Sequence, residues 1–225
     1  MLRDNPKIVT APTLEPVTLA EAKSFLRIDT TADDAYITDL ITASREAIEN
    51  ALRRTLLTTT VKLTKPYFPS GNFQRENVDS ALGTSFNSIY EAEGQFYDIG
   101  ASEIYLPFGF VQSVSSVKYT DDAQVETTFS SANYFLNKEE KLTLADGEGW
   151  VGNGNIAFVE IEYITGWTTV ALVPKIIKNA VLVLIDNMYS SRGCDCAVPA
   201  SMRATLKPYT LPFYQRPKTI SVQRG

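Results

Sequence analysis

Histidine is absent from the 225 residues. Without an imidazole the chain has no Ser–His–Asp triad, no Cys–His nucleophile and few routes to a zinc site. Cysteine is nearly absent too: Cys194 and Cys196 are the whole supply. Thiols one residue apart make a strained disulfide, and two thiolates without further ligands make a poor soft-metal site. Long apolar runs are missing. No stretch approaches the roughly 20 residues that cross a bilayer, and the opening MLRDNPKIVT lacks the apolar core of a secretion signal. The chain therefore reads as soluble and non-secreted, with no membrane contact. Positive charge is in deficit, with 21 Lys and Arg against 26 Asp and Glu, a net charge of -5. Sequence-nonspecific DNA binding works by neutralising phosphates, so this balance argues against it.

Other chemical signatures are weak. Asp33-Asp34, Asp121-Asp122 and Glu139-Glu140 are adjacent carboxylates, and neighbours in a helix or strand point apart rather than forming an acid/base dyad. A helix cap explains the first pair and turns explain the others. The run GEGWVGNG over 147–154 has no Lys-Ser/Thr and opens no helix, so it reads as turn chemistry rather than a phosphate cradle. No serine sits in a G-x-S-x-G elbow. The expectation is a non-enzyme with no cofactor, no catalytic residue and no metal ligand.

What the chain does have is punctuation. Thr18 followed by Glu21 is a capping box opening a short helix over about 18–27. Asp33 or Asp34 then caps a longer helix to about Thr55. Its apolar positions Tyr36, Ile37, Leu40, Ile41, Ala43, Ala47, Ile48, Ala51 and Leu52 recur at three and four residues. Asp39, Arg45, Glu46, Glu49, Asn50 and Arg53 are placed on the opposite face, with Glu49–Arg53 as an i,i+4 pair. From about Leu57 to Trp167 the grammar is β. Strands are expected at 58–64, 103–107, 111–119, 134–136, 141–144 and 155–163, enough for a small antiparallel sheet or barrel. The segment 70–101 reads as a long loop or arm. Pro174 begins a helix over 175–189 that is apolar nearly all round.

Residues 7–16 read as an extended arm, and the proline- and aromatic-rich stretch after Cys196 as a tail that is not one regular element. Charge is uneven along the chain. Nine acids and two bases lie between Asp121 and Glu162, whereas Pro199 to Gly225 holds five bases and no acid.

These pieces together resemble the phage head–tail connector family called gp6-like, in its longer members with a β insert. The resemblance rests on PVTLAEAKSFLRID (16–29), DDAYI (33–37), LITASREAIE (40–49) and LLTTT (56–60). It continues through Leu106-Pro107, VQSVSSVKY (111–119) with Asp121, YITGW (163–167), Val173-Pro174, Ile176-Ile177 and YSSR (189–192). The long 70–101 segment departs from shorter members.

The resemblance implies an α+β fold: a helical core over 1–56 and 170–193, an inserted antiparallel β subdomain over 57–169, and an extended tail over 194–225. It further implies a homo-oligomeric ring, commonly twelvefold, in the virion neck, assembled in the host cytoplasm and sandwiched between the portal protein and the next neck or tail protein. Genome DNA passes through its lumen without specific binding. Position and charge make Arg203, Lys207, Tyr209, Phe213, Tyr214, Arg216, Lys218 and Arg224 candidates for docking the portal; the other reading of that tail is an arm packed on its own domain. Inter-subunit candidates are Tyr36, Arg45, Glu49, Arg53, Phe73, Phe86 and Tyr90, the last three on the 70–101 segment, which reads equally as a clasp or a surface loop. Two other classes stay open: another neck or tail component such as a tail-completion protein, and a small-ligand or metal-binding module.

Overall fold

The structure is a computed structural model that describes residues 5–69, 103–138, 140–151, 156–191 and 198–211. The chain runs β1 (Asn5–Thr10), α1 (Leu19–Leu26), α2 (Asp34–Leu52), β2 (Thr59–Lys65), β3 (Glu103–Tyr105), β4 (Val111–Asp121), β5 (Glu126–Phe129), β6 (Tyr134–Leu136), β7 (Lys141–Leu144), β8 (Ile156–Thr165), α3 (Lys175–Ser191) and α4 (Ala200–Leu206). Helices and antiparallel sheets make it an α+β fold. It divides into two compact units: Met1–Leu14 with Leu57–Thr169, and Glu15–Leu56 with Val170–Gly225.

The first unit holds a five-stranded sheet of order β1-β2-β8-β4-β5 and a three-stranded sheet of order β3-β7-β6, with all pairings antiparallel. Alternation at period two sets the inward face: Thr59, Val61 and Leu63 of β2 and Val159, Ile161, Tyr163 and Thr165 of β8 are buried. An aromatic cluster completes this core. Phe68 stacks on Trp150 with ring centroids 5.0 Å apart and planes 9° apart, and Phe129 meets both rings. The outward face carries cross-strand charge, with Lys62–Glu160 at 3.4 Å and Lys118–Glu126 at 2.7 Å.

Two expectations for the first unit need correction. The arm over 7–16 begins as strand β1, which pairs with β2 through Lys7↔Lys62 and Ile8↔Val61, so the first residues belong to the sheet and not to the helical core. Pro6 hid this, because proline cannot donate to a ladder; it is tolerated here because β1 is an edge strand. Strand β5 was not expected at all. Its four residues, Glu-Thr-Thr-Phe, bury only Phe129, which is too short a pattern to stand out.

The second unit is helical. Thr18 caps α1 as expected: its Oγ1 accepts from the Glu21 N–H at 3.2 Å, and Glu21 Oε2 accepts from the Thr18 N–H at 2.6 Å. Arg27 closes the helix in the left-handed region, with its N–H donating to Lys23 and Ser24 carbonyls. Helix α2 buries Ile37, Leu40, Ile41, Ile48 and Leu52, and α3 buries Ile177, Ala180, Val181, Leu184, Ile185 and Met188. Each fully buried Ile or Leu contributes about 1.5–3 kcal/mol, so the α2–α3 contact is the main support of this unit. The chain after Val198 is more regular than a tail: α4 is followed by a 3-10 turn over Lys207–Tyr209, and Val198 and Leu206 are buried.

Candidate functional site

The strongest polar constellation lies in the helical unit, around Arg45. This residue stands four after Ile41 and three before Ile48, so it occupies the buried stripe of α2 and not the polar face. Only 5% of it is exposed. Its Nε donates to Glu15 Oε2 at 2.9 Å and its Nη1 to Glu49 Oε2 at 2.7 Å. Glu15 also accepts from Thr42 Oγ1 at 3.0 Å, and Glu49 Oε1 from the Leu56 N–H at 2.7 Å. Burial pushes the Glu49 carboxyl above the ordinary carboxylate value, against the pull of the Leu56 N–H and Arg45. Burial also opposes the Arg45 charge, but Glu49 and Glu15 outweigh it and hold the guanidinium protonated. Arg45 and Glu49 are therefore structural residues satisfied inside their own chain. This corrects the expectation that placed them on the polar face opposite the apolar stripe of α2.

A second constellation lies in the sheet unit, at the corner before β4. Phe108, Gly109 and Phe110 have φ of 71°, 57° and 48°, three successive residues in the left-handed region. For phenylalanine that conformation costs about 1–2 kcal/mol. Strand β8 and the residue after it offset the cost. The Tyr163 hydroxyl donates to the Pro107 carbonyl at 2.9 Å, the Thr165 hydroxyl to that of Gly109, and the Gly166 N–H to that of Phe110 at 3.1 Å. Phe110 also lies against Trp167, ring centroids 4.4 Å apart. Gly166 has φ +97°, and a Cβ on it would stand 2.2 Å from the Leu57 carbonyl oxygen. The spacing Tyr-Ile-Thr-Gly-Trp is thus the lock that holds a strained corner. Burial pushes the Tyr163 phenol far up, so it stays a donor at every working pH.

The remaining expected residues fall as follows. Tyr36 is at the surface, its ring 6.0 Å from that of Tyr189, whose hydroxyl donates to Asp33 Oδ2 at 2.5 Å. Arg53 is the C-cap of α2, with φ 58°. Arg203 sits on α4 with its Nε on the Val198 carbonyl at 3.0 Å, and Lys207 and Tyr209 bound the 3-10 turn. Leu211 donates its N–H to the Leu52 carbonyl at 3.0 Å, which ties the start of the tail to the end of α2. Phe73, Phe86, Tyr90, Phe213, Tyr214, Arg216, Lys218 and Arg224, like Cys194 and Cys196, lie outside the described residues.

Two further surface features are present, of which only the second, a turn, is expected from the sequence. One is a groove of about 540 Å³ along α2, lined by Ala43, Glu46, Ala47, Asn50, Ala51, Arg53, Val198 and Arg203. The other is the β4–β5 turn, where Val125 faces Asp121 beside the loop end and is 56% exposed. Alanines one helical turn apart were the available signal for the first; the second had none beyond Asp121-Asp122. Among the described residues there is no cluster of three metal-ligating side chains, and no helix is long and apolar enough to cross a membrane.

Fold and polar groups together define a class: an α+β protein in which an antiparallel sheet unit is inserted into a helical unit, and whose best-built polar clusters hold its own architecture. The family model for the phage gp6-like head-tail connector protein matches residues 16–139, more than half of the chain. The chain belongs to that family of head–tail connectors. No match is found among the curated proteins.

Three solved structures share the fold. A chain from the neck of an empty gene transfer agent (GTA) particle, computed with C6 symmetry, superposes with a TM-score of 0.67 at 21% identity, covering 95% of this chain and 100% of that one. A chain from the neck of the native particle, computed with C12 symmetry, gives 0.64 at 18% identity, with 96% and 100% covered. A chain from the virion of the native particle gives 0.64 at 20%, with 91% and 94% covered.

Proposed function

We propose that the chain is the adaptor subunit of a phage or phage-like neck: a structural ring below the portal that extends the DNA channel and docks the next neck or tail protein. One observation carries this reading. The connector family match over 16–139 coincides with a fold shared almost end to end with chains from particle necks. Neck structures computed with C6 and C12 symmetry support a ring of twelve copies. The ring works by contact and not by chemistry, and its surface charge suits a conduit. The net charge is -5, and acidic walls repel the phosphates of a passing duplex instead of gripping them.

Portal docking falls to the segment beginning at Lys207 and Tyr209 and continuing through Phe213, Tyr214, Arg216, Lys218 and Arg224. Aromatic and basic side chains anchor such contacts. Tyr36 remains a surface candidate for a neighbouring subunit.

Size-exclusion chromatography with light scattering, on the protein alone and mixed with its portal, tests the reading. The expected product on the portal has an added mass of about 300 kDa, twelve times the 24.9 kDa chain. Removal of residues 212–225 spares α4 and its buried Leu206 and is expected to abolish portal binding. A folded chain that stays monomeric and ignores the portal would refute the adaptor role and favour tail completion.

A further inference from the structure

A closed ring of identical copies uses a heterologous interface, in which two different patches on one chain are complementary. Resting on the ring reading above, we propose that the α2–α4 groove of one copy receives the β4–β5 turn of its neighbour, with Val125 on the groove floor and Asp122 against Arg203 at its rim.

The groove is built for an apolar tip carrying negative charge. Its floor is Ala43, Ala47, Ala51 and Val198, with side chains small enough that an incoming residue meets the helix closely. Its volume, about 540 Å³, is in the range that encloses a compact group of drug size. Three charged residues line it. Glu46 leans toward Arg45, Oε1 to Nη2 at 3.5 Å, and so is drawn to a cation already within its own helix. Arg203 puts a cation on the rim, and its bond from Nε to the Val198 carbonyl orients that guanidinium.

The turn is the complementary shape. Asp121 Oδ1 accepts from the Val125 N–H at 2.8 Å, the Asp121 N–H donates to the Val125 carbonyl at 3.1 Å, and the Gln124 N–H to the Asp121 carbonyl at 3.0 Å. Three bonds thus preform the tip, which lowers the ordering cost of docking. Glu126 is taken by Lys118 at 2.7 Å. What the turn presents is Asp122 together with Val125, 56% exposed beside it.

The test uses the full chain and its assembly on the portal, followed by light scattering. Arg203→Glu and Asp122→Lys reverse one side each; Val125→Asp removes the apolar tip; Ala47→Trp fills the groove without changing charge. Each is checked for an unchanged thermal transition before use. The concentration needed for half-assembly is expected to rise at least about tenfold in every one. Mixing Arg203→Glu with Asp122→Lys is expected to restore rings, because alternating copies then meet native turn to native groove and reversed turn to reversed groove. The double variant in one chain is expected to recover as well. If the parent assembles and the reversals assemble equally well, or if Ala47→Trp blocks assembly while Asp122→Lys and Val125→Asp do not, the groove holds some other segment and the contact is refuted with the ring reading intact. If the parent itself forms no ring on the portal, both fall together.

Discussion

Replacing Arg45 by methionine keeps the length and apolar stem of the side chain but strands a buried carboxylate. Glu49 has 11% of its side chain exposed and Glu15 has 30%, so the loss falls mainly on Glu49. Breaking one partner out of a buried pair costs about 3–5 kcal/mol; Glu15's access to water argues for the lower end, about 3 kcal/mol. In a chain of 150–250 residues each kcal/mol moves the melting point by about 2–4 °C, so the expected drop is about 6–12 °C near neutral pH. The helical far-UV signal is the right probe, since α1 to α4 all lie in the unit that contains Arg45.

The pH dependence separates this cause from lost packing. Glu49 is already raised above its ordinary value by burial, so the folded state binds its proton more tightly than the unfolded chain does, and stability falls as pH rises through that window. Removing Arg45 removes the two influences by which it lowers that value, so the window widens upward. The deficit of Arg45→Met relative to the parent is therefore largest near neutral pH and shrinks as pH falls through the carboxylate range and Glu49 takes up its proton in both proteins. Glu49→Gln in the methionine background keeps an acceptor for the Leu56 N–H without the charge, and is expected to recover most of the loss at neutral pH. A drop under about 3 °C, or one of equal size at both pH values, would refute the account of Arg45 as a buried charge clamp.

Gly166→Ala is expected to abolish folding of the sheet unit or cost well over about 3 kcal/mol, because its Cβ would overlap the Leu57 carbonyl at 2.2 Å. Gly147→Ala, at φ +77° with nothing within 4 Å, is expected to cost only about 1–2 kcal/mol; equal losses of soluble yield and melting point would contradict this ranking. Tyr163→Phe leaves the Pro107 carbonyl without its donor and is expected to cost about 1–3 kcal/mol in urea titration, with early proteolytic nicking at 107–110. Thr18→Ala is expected to cost about 1 kcal/mol near neutral pH. The Thr18 N–H, which alanine keeps, and the hydroxyl, which it removes, hold Glu21 below the ordinary carboxylate value; the hydroxyl's share is present at neutral pH and lost as pH falls through the carboxylate range, so a deficit that grows on acidification would refute it.

The elements written in the sequence in local chemistry were the legible ones. A Thr-x-x-Glu box marks α1 because cap and backbone are three residues apart, and β8 is visible because Val159, Ile161, Tyr163 and Thr165 alternate without interruption. The pieces that misled were those decided by distant partners. Residues 5–10 contain proline and expose most of their side chains, so nothing local distinguishes an arm from an edge strand; their pairing with 60–64 makes the strand. The turn at Asp121-Asp122 was legible, but the four-residue return strand behind it was not. Its inward anchor, Phe129, acquires meaning only beside Phe68 and Trp150. The connector resemblance was carried by spacing whose physical content became plain in three dimensions, as in YITGW, where tyrosine, threonine and glycine each satisfy one carbonyl of a single corner.

Arg45 shows why charge alone is a weak guide to surface. Counting positions from Ile37 puts 41, 45, 48 and 52 on one stripe, so periodicity favours burial where residue type favours exposure. Periodicity wins because two carboxylates meet the guanidinium: Glu49 one turn on, which a helical wheel displays, and Glu15 from the segment leading into the helices, which it does not. Glu15 is the first residue of the helical unit and Leu56 the last before the chain leaves it for β2. Through Glu15 directly and through Glu49 to the Leu56 N–H, Arg45 gathers both ends of that stretch onto one side chain. A unit interrupted by a 113-residue excursion from Leu57 to Thr169 must fix its own chain ends before the excursion can be accommodated, and a buried guanidinium with several fixed donors does this where a single apolar contact could not.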